Sequence, residues 1–206
     1  KSAIALALLL TQSLSSMAWT PAGDRIKTTW GENLTPETAW RSYPRPQLKR
    51  TEWQNLNGLW ECEVTSQDVQ MKDVAFGKEI LVPFCIESSL SGLAEQFRPE
   101  DRLWYRREFT VAHEWKGKKI KLHFGAVDYA CEVFVNGKPV GKHVGGNNAF
   151  YFDVTGAVKA GKKNILTVAV TDPTDAATDT RGKQILNPRG IWYTAVSGIW
   201  KTVWLE

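Results

Sequence analysis

The sequence holds few of the residues that carry most enzyme chemistry. Its 206 residues include 3 histidines, 3 cysteines and 2 methionines. The histidines are far apart, and no cysteine or histidine spacing is typical of a metal site. The Gly-x-Ser-x-Gly elbow of many serine hydrolases is also missing. We therefore predict no metal and no cofactor, and nothing favours a nucleophile-elbow hydrolase.

Long apolar runs are missing as well. The run from Ala3 to Leu10 is too short for a bilayer span, which needs about 20 residues, so no membrane span is expected. Lys1 precedes this run and small residues ending at Ala18 follow it, which is the layout of a secretory signal peptide. We expect residues 1–18 to be removed and the mature protein to be periplasmic or extracellular. An N-terminal helix of a cytoplasmic protein is the alternative interpretation.

A strong charge of one sign is also absent. The net charge is +4 and the charged residues are spread along the chain, so nucleic-acid binding is not expected. The 3 cysteines are an odd number for an exported protein. One pair among Cys62, Cys85 and Cys131 could form a disulfide, or all three could be small buried side chains.

Residues 19–50 are rich in proline and contain Trp30 and Trp40. Because proline fixes φ and lacks an N–H donor, we interpret this segment as an extended arm laid over a surface. We expect its tryptophans to hold it there.

From Leu56 onward, a period-two alternation of side chains dominates. Leu166, Val168 and Val170 alternate with Ile165, Thr167 and Ala169, as expected for a strand whose two faces differ. The same pattern places His123 on a polar face, where we expect it to be solvated. Asn136-Gly137 predicts a two-residue hairpin. About eight to ten short strands with short connections predict an antiparallel, two-sheet jelly-roll sandwich of the galactose-binding-domain kind.

The carboxylates are the remaining candidates for chemistry. Glu87 lies among apolar residues and could transfer protons with a raised pKa, but acceptance of backbone hydrogen bonds in a tight loop is the favoured interpretation. Asp172, Asp175 and Asp179 share one loop, where capping of turns is favoured over an ion site. Glycoside hydrolysis needs two facing carboxyl groups, and no second acid pairs convincingly with Glu87.

Several segments in order resemble the N-terminal domain of glycoside hydrolase family 2, which includes β-galactosidases and β-glucuronidases. The segments are Leu56-Asn57-Gly58-Leu59-Trp60, Val82-Pro83-Phe84, Glu87 to Gly92, Trp104 to Phe109, His123 to Tyr129, Val135-Asn136-Gly137, Val140 to His143, Gly145-Gly146, Phe152 to Thr155 and Ser197-Gly198-Ile199-Trp200. The resemblance implies a jelly-roll sugar-binding domain over residues 51–206, followed by an immunoglobulin-like domain and a catalytic (β/α)₈ barrel. In the family two barrel glutamates carry out retaining hydrolysis, so no catalytic residue is assigned here.

One position departs from the family pattern. Well-studied members carry a substrate-contacting aspartate six positions before the glycine of the closing motif, and Trp192 stands there in this chain. Tryptophan has no carboxylate to accept a hydrogen bond from a sugar hydroxyl. The usual galactose or glucuronic acid specificity therefore does not transfer, and the sugar stays open.

The leading hypothesis is that this chain is the accessory domain of an exported retaining exo-β-glycosidase. Because the chain ends directly on a strand, we expect its own catalytic barrel to follow residue 206. A stand-alone carbohydrate-binding module, with Trp104, Trp192 and Tyr193 as a stacking platform, is the alternative, and a purely structural domain that shields the barrel is a third. The candidate carbohydrate-binding residues are Glu87, His143, Asn147, Asn148, Trp192 and Tyr193.

Overall fold

The computed structural model describes residues 19–206, and the proposed signal peptide at 1–18 lies outside the described residues. These residues form the predicted antiparallel β-sandwich, and the longest helix among them has 4 residues. The strands are β1 (Gln54–Asn55), β2 (Gly58–Ser66), β3 (Lys78–Val82), β4 (Asp101–Thr110), β5 (Lys121–Phe124), β6 (Val127–Asp128), β7 (Ala130–Val135), β8 (Lys138–Val144), β9 (Phe150–Asp153), β10 (Lys163–Thr171), β11 (Gln184–Ile185), β12 (Tyr193–Thr194), β13 (Gly198–Ile199) and β14 (Val203–Leu205). The helix α1 spans Thr29–Glu32, and 3₁₀ turns cover Met71–Asp73, Ser89–Ser91 and His113–Trp115.

Two sheets make up the sandwich. The larger has the order β3-β2-β4-β10-β7-β8, and the smaller has the order β1-β14-β5-β9. All neighbours within both sheets pair antiparallel, as the short connections require. A short antiparallel pair, β13 with β6, and a short parallel pair, β11 with β12, lie outside them.

The predicted alternation decides which side chains enter the core. On β10, Leu166, Val168 and Val170 are fully buried between the sheets. The indole of Trp60 meets the ring of Tyr105 edge to face, with the ring centroids 6.3 Å apart. At the hairpin between β7 and β8, Asn136 and Gly137 both have positive φ, as the predicted two-residue turn demands.

The three cysteines are free thiols, so no disulfide stabilises the sandwich. Cys62 and Cys131 are buried and Cys85 is partly buried. Burial raises the pKa of each thiol to about 12. The interpretation as small apolar side chains is the one that the structure supports.

The N-terminal arm does lie along the sandwich, but its tryptophans are not its anchors. Trp30 is 83% exposed and Trp40 is 52% exposed. Polar groups hold the arm instead: Asn57 Nδ2 donates to the carbonyl of Ala39 at 3.3 Å, while its Oδ1 accepts from Val203 N at 3.0 Å. The expectation that Trp30 and Trp40 hold the arm was therefore wrong. An extended chain leaves backbone N–H and C=O groups unpaired, and a buried amide such as Asn57 can bond to them and so hold the arm.

The arm also changes the environment of His123. Tyr43 Oη donates to Glu206 Oε2 at 2.6 Å, and Arg45 Nη2 lies 3.2 Å from His123 Nδ1. His123 is 2% exposed and stacks on Trp204, with ring centroids 4.8 Å apart. The prediction of a solvated histidine was therefore wrong, because the arm covers the polar face of β5. We call Tyr43, Arg45, His123 and Glu206 the arm lock.

Candidate functional site

Three connecting segments meet at one end of the sandwich, which we call the loop end. They are residues 83–96, the turn at 145–149 and the long loop at 172–197. Glu87, in the first segment, accepts a hydrogen bond from the backbone N–H of Ser197 through Oε2 at 3.0 Å. The Glu87 side chain is only 5% exposed. The favoured interpretation of Glu87 as an acceptor of backbone hydrogen bonds is therefore confirmed.

Asp172 reinforces the same junction. Its Oδ2 accepts from Ser197 Oγ at 2.6 Å, and its Oδ1 accepts from Thr174 N at 2.8 Å. The second bond is the turn-capping role predicted for this loop. Within residues 19–206 no group of three or more His, Cys, Asp or Glu side chains is arranged to hold a metal ion.

Asp128, at the end of β6, is a third buried acid that sequence reasoning did not single out. It is 6% exposed, and a side chain at Gly146 would overlap its carboxyl group. The carbonyl of Gly146 accepts from Trp200 Nε1 at 2.8 Å. The turn at 145–149 is thus packed against the acid, which explains the glycine. The feature of the sequence that could have identified Asp128 is its place at the end of an apolar strand, directly after Val127.

Electrostatics at the loop end follow from burial. Loss of solvation raises the pKa of Glu87 to about 7, and the nearby charge of Asp172 adds to the effect although the N–H of Ser197 opposes it. Burial likewise raises the pKa of Asp128 to about 7 and raises the pKa of Asp172. We call Glu87, Asp128 and Asp172 the acidic cluster. Oε2 of Glu87 and both carboxylate oxygens of Asp172 accept internal hydrogen bonds. Glu87 also lines a cavity of about 260 Å³, which Asp128 and Asp172 do not line, so the three acids do not supply the two facing carboxyl groups that glycoside hydrolysis requires.

The other predicted residues lie around this cluster. His143 is partly buried, stacks on Phe150 with centroids 3.9 Å apart, and places Nε2 3.1 Å from the carbonyl of Gly145. Asn147 and Asn148 are exposed in the following turn. His143 therefore shapes the turn, while the two amides are free to contact a ligand.

Trp192 and Tyr193 stand on the exposed part of the long loop. Trp192 is 38% exposed and Tyr193 is 51% exposed. The backbone N–H of Tyr193 donates to the carbonyl of Lys183 at 3.0 Å, which holds β12 beside β11 in their short parallel pair. Trp104, the third ring of the predicted stacking platform, is only 2% exposed and donates to Thr65 Oγ1 at 3.0 Å. That part of the prediction was wrong, because Trp104 lies on β4, inside the larger sheet, where its side chain is buried.

The two arginines of β4 serve the sheet. Arg106 makes a bidentate pair with Glu61, with both distances 2.6 Å. Arg107 donates to the carbonyl of Leu59. Burial lowers the pKa of Arg107, and the charge of Arg41 adds to this effect.

Residues 93–206 match the family model described as glycosyl hydrolases family 2, sugar binding domain. A β-galactosidase of Thermoanaerobacter pseudethanolicus is 38% identical over 106 residues, which cover 50% of this chain and 13% of that protein. A putative β-glucuronidase of Formosa agariphila is 24% identical over 172 residues, which cover 82% of this chain and 20% of that protein.

Solved structures give the same fold. A β-glucuronidase from Ruminococcus gnavus in complex with D-glucuronic acid superposes with a TM-score of 0.59 at 21% identity. The match covers 77% of this chain and 30% of that chain. At this identity the likeness concerns the fold alone. The chain spans less than a third of the length of these relatives. Within residues 19–206, no helix has the length and hydrophobicity needed to cross a bilayer.

Proposed function

The chain belongs to the sugar-binding domain family of family 2 glycosyl hydrolases, and from this membership we propose that it is the N-terminal accessory domain of an exported retaining exo-β-glycosidase. The observation that carries the proposal is the family match over residues 93–206 on a sandwich of the same fold as a solved β-glucuronidase. The domain would contact carbohydrate and pack on its own catalytic barrel. The sugar is not assigned, because Trp192 replaces the substrate-contacting aspartate of well-studied members.

Catalysis is assigned to the expected barrel and not to this chain. Glu87 and Asp172 both bond to Ser197, and the Gly146 turn packs against Asp128. A retaining glycosidase needs two carboxyl groups about 5 Å apart on either side of the scissile bond, with water and sugar between them. Buried, internally bonded acids do not meet that requirement.

Hydrolysis assays test this assignment. We expect the full-length gene product to cleave nitrophenyl β-glycosides and the 206-residue chain to release no nitrophenol from the same panel. The anomer first formed, followed by NMR, should keep the configuration of the substrate. Turnover by the chain alone, or a full-length product without a barrel that carries two glutamates, would contradict the proposal.

Export is proposed from the residue pattern of positions 1–18. Mass spectrometry of the mature protein should give an N-terminus at Trp19, since cleavage is expected after Ala18. Recovery of the intact N-terminus from the cytoplasm would overturn this part and leave the hydrolase assignment standing.

A stand-alone carbohydrate-binding module is the second candidate, favoured by the exposed rings of Trp192 and Tyr193. It predicts heat of binding to simple or polymeric sugars, lost in Trp192→Ala, without any partner domain. If the full-length reading frame encodes the barrel, the stand-alone hypothesis fails and the module is one domain of the enzyme.

A further inference from the structure

A cavity of about 590 Å³ lies between the arm and the edge of the smaller sheet. We call it the arm groove. It is open to solvent, and its size falls within the range of ligand pockets in proteins, roughly 300–1,000 Å³. The residues that shape it are Trp40, Tyr43, Arg45, Ala149, Lys201 and Trp204.

Trp40 forms one wall in a conformation that its side chain does not favour. Its φ is +45°, in the left-handed region that is strained for a residue with a Cβ. Two amides hold it there, since its carbonyl accepts from Asn55 Nδ2 at 2.8 Å and from Asn57 Nδ2 at 3.2 Å. The result is an indole that is 52% exposed on a fixed backbone. The ring of Trp40 meets Phe84 edge to face, with the centroids 6.2 Å apart, and the rest of the residue stays exposed beside the groove.

The charge of the groove has one sign. Its lining contains Arg45 and Lys201 and no acid. Arg45 is engaged by Glu206, with Nη1 and Oε1 3.4 Å apart. The ammonium of Lys201 lies 4.5 Å from the ring centroid of Trp200, and no ion pair within residues 19–206 includes Lys201. A positioned cation without a carboxylate partner favours an anionic ligand.

Hydrogen-bonding groups border the same cavity. Ala149, in the lining, directly follows the exposed amides of Asn147 and Asn148. The hydroxyl-bearing Ser42 also lines the groove. An exposed indole suits the apolar C–H face of a sugar ring, and amides and hydroxyls suit its hydroxyl groups. A peptide segment would use the apolar walls but not this set of polar groups beside Lys201, a cation without an acidic partner.

We infer that the arm groove binds a saccharide that carries a carboxylate or sulfate group, with Trp40 as the stacking platform and Lys201 as the partner of the anionic group. The inference rests on the proposed accessory role in carbohydrate hydrolysis and adds the chemical class of ligand. Asn55 and Asn57 hold the backbone of Trp40 and Phe84 packs on its ring, so the indole is positioned beside the groove before the ligand arrives.

The test is calorimetry of the full chain with three probes of matched length: an oligogalacturonate, a sulfated galacto-oligosaccharide and a neutral galacto-oligosaccharide. The test variants are Trp40→Asn, which removes the ring but tolerates the left-handed backbone, and Lys201→Gln. The matched controls are Trp30→Ala, an exposed arm tryptophan outside the groove, and Lys119→Gln, an exposed lysine on the turn before β5. Thermal melts verify that every variant is folded.

We expect binding of an anionic probe, weakened about tenfold by either test variant and unchanged in either control. The carboxylate and sulfate probes identify the source of the anionic group. Equal affinity for the neutral probe, equal losses in test and control variants, or no binding of any probe would overturn the inference. These results are independent of hydrolysis by the full-length protein, so the proposed function can stand while the groove assignment fails, and the reverse.

Discussion

The acidic cluster and the arm lock are two buried polar sites that titrate in opposite directions. In the acidic cluster, burial raises the pKa of Glu87 and Asp128 to about 7. In the arm lock, burial lowers the pKa of His123 to about 4, although the charge of Glu206 opposes the shift. In both sites loss of solvation is the largest cause and favours the neutral side chain. In the arm lock burial outweighs the opposing charge of Glu206, whereas in the acidic cluster the charge of Asp172 adds to the effect of burial.

The two sites also differ in how rigidly they are enclosed. The acidic cluster is enclosed by backbone and glycine contacts from three loops, whereas an arm with exposed tryptophans covers His123. We therefore expect substitutions at the loop end to cost more stability than substitutions at the arm lock.

The largest expected effect is that of Gly198→Ala at the loop end. Gly198 has φ +89°, and an added Cβ would overlap the hydroxyl of Tyr105. Left-handed strain and overpacking together should lower the free energy of unfolding by about 3 kcal/mol or more. Urea unfolding measures the loss. Gly156→Ala, where no atom lies within 4 Å of the added Cβ, is the control and should be close to neutral. Equal losses in both variants would contradict the role given to the close approach.

The second prediction concerns pH dependence at the acidic cluster. The folded pKa of Glu87, about 7, exceeds its ordinary value of 4.5, so the folded state binds more protons between these values. The free energy of unfolding should therefore fall as pH rises from about 4.5 to about 7. Glu87→Gln keeps an acceptor for Ser197 and should reduce this pH-dependent loss of stability by roughly 3 kcal/mol. Urea unfolding from pH 4 to 8 measures it. Glu63→Gln, a substitution on β2 outside the acidic cluster, should leave the pH dependence of the free energy of unfolding unchanged.

The arm lock should show the reverse slope. Because the folded pKa of His123, about 4, lies below its ordinary value of 6.5, the unfolded state binds more protons in this window. Stability from this group is complete above pH 6.5 and is lost as pH falls toward 4. His123→Phe keeps a ring against Trp204 and should reduce the acid-side loss by on the order of 2 kcal/mol. A His143→Phe variant serves as the comparison. An unchanged slope in His123→Phe would mean that the arm does not exclude water from the ring.

The smallest effect is expected for Tyr43→Phe. It deletes the 2.6 Å hydrogen bond to Glu206 and leaves the ring packed edge to face on Trp53. The cost should be about 1 kcal/mol, expressed as faster proteolysis within residues 19–50 and little change in the global unfolding midpoint. Tyr151→Phe, whose ring is exposed on β9, is the matched control. A global loss equal to that of Gly198→Ala would show that the arm and the sandwich unfold as one unit.

Local sequence patterns account for what could be predicted. Leu166, Val168 and Val170 repeat with the period of a strand, and Asn136-Gly137 accepts the positive φ angles of its hairpin. The ordered motifs likewise placed Glu87 in a tight loop, where it accepts the N–H of Ser197 from 110 residues away. The missed features all depend on a second segment: the arm over His123, the turn at Gly146 against Asp128, and the amides that hold Trp40.

The sequence by itself determined the class of fold and the family, because side-chain alternation, turn residues and short motifs each lie within a few neighbouring positions. Only the tertiary structure decided which polar side chains lose their water. Desolvation depends on all the atoms around a group, so His123 and Trp104 became buried, and Trp30 and Trp40 stayed exposed, through contacts between segments far apart in the chain.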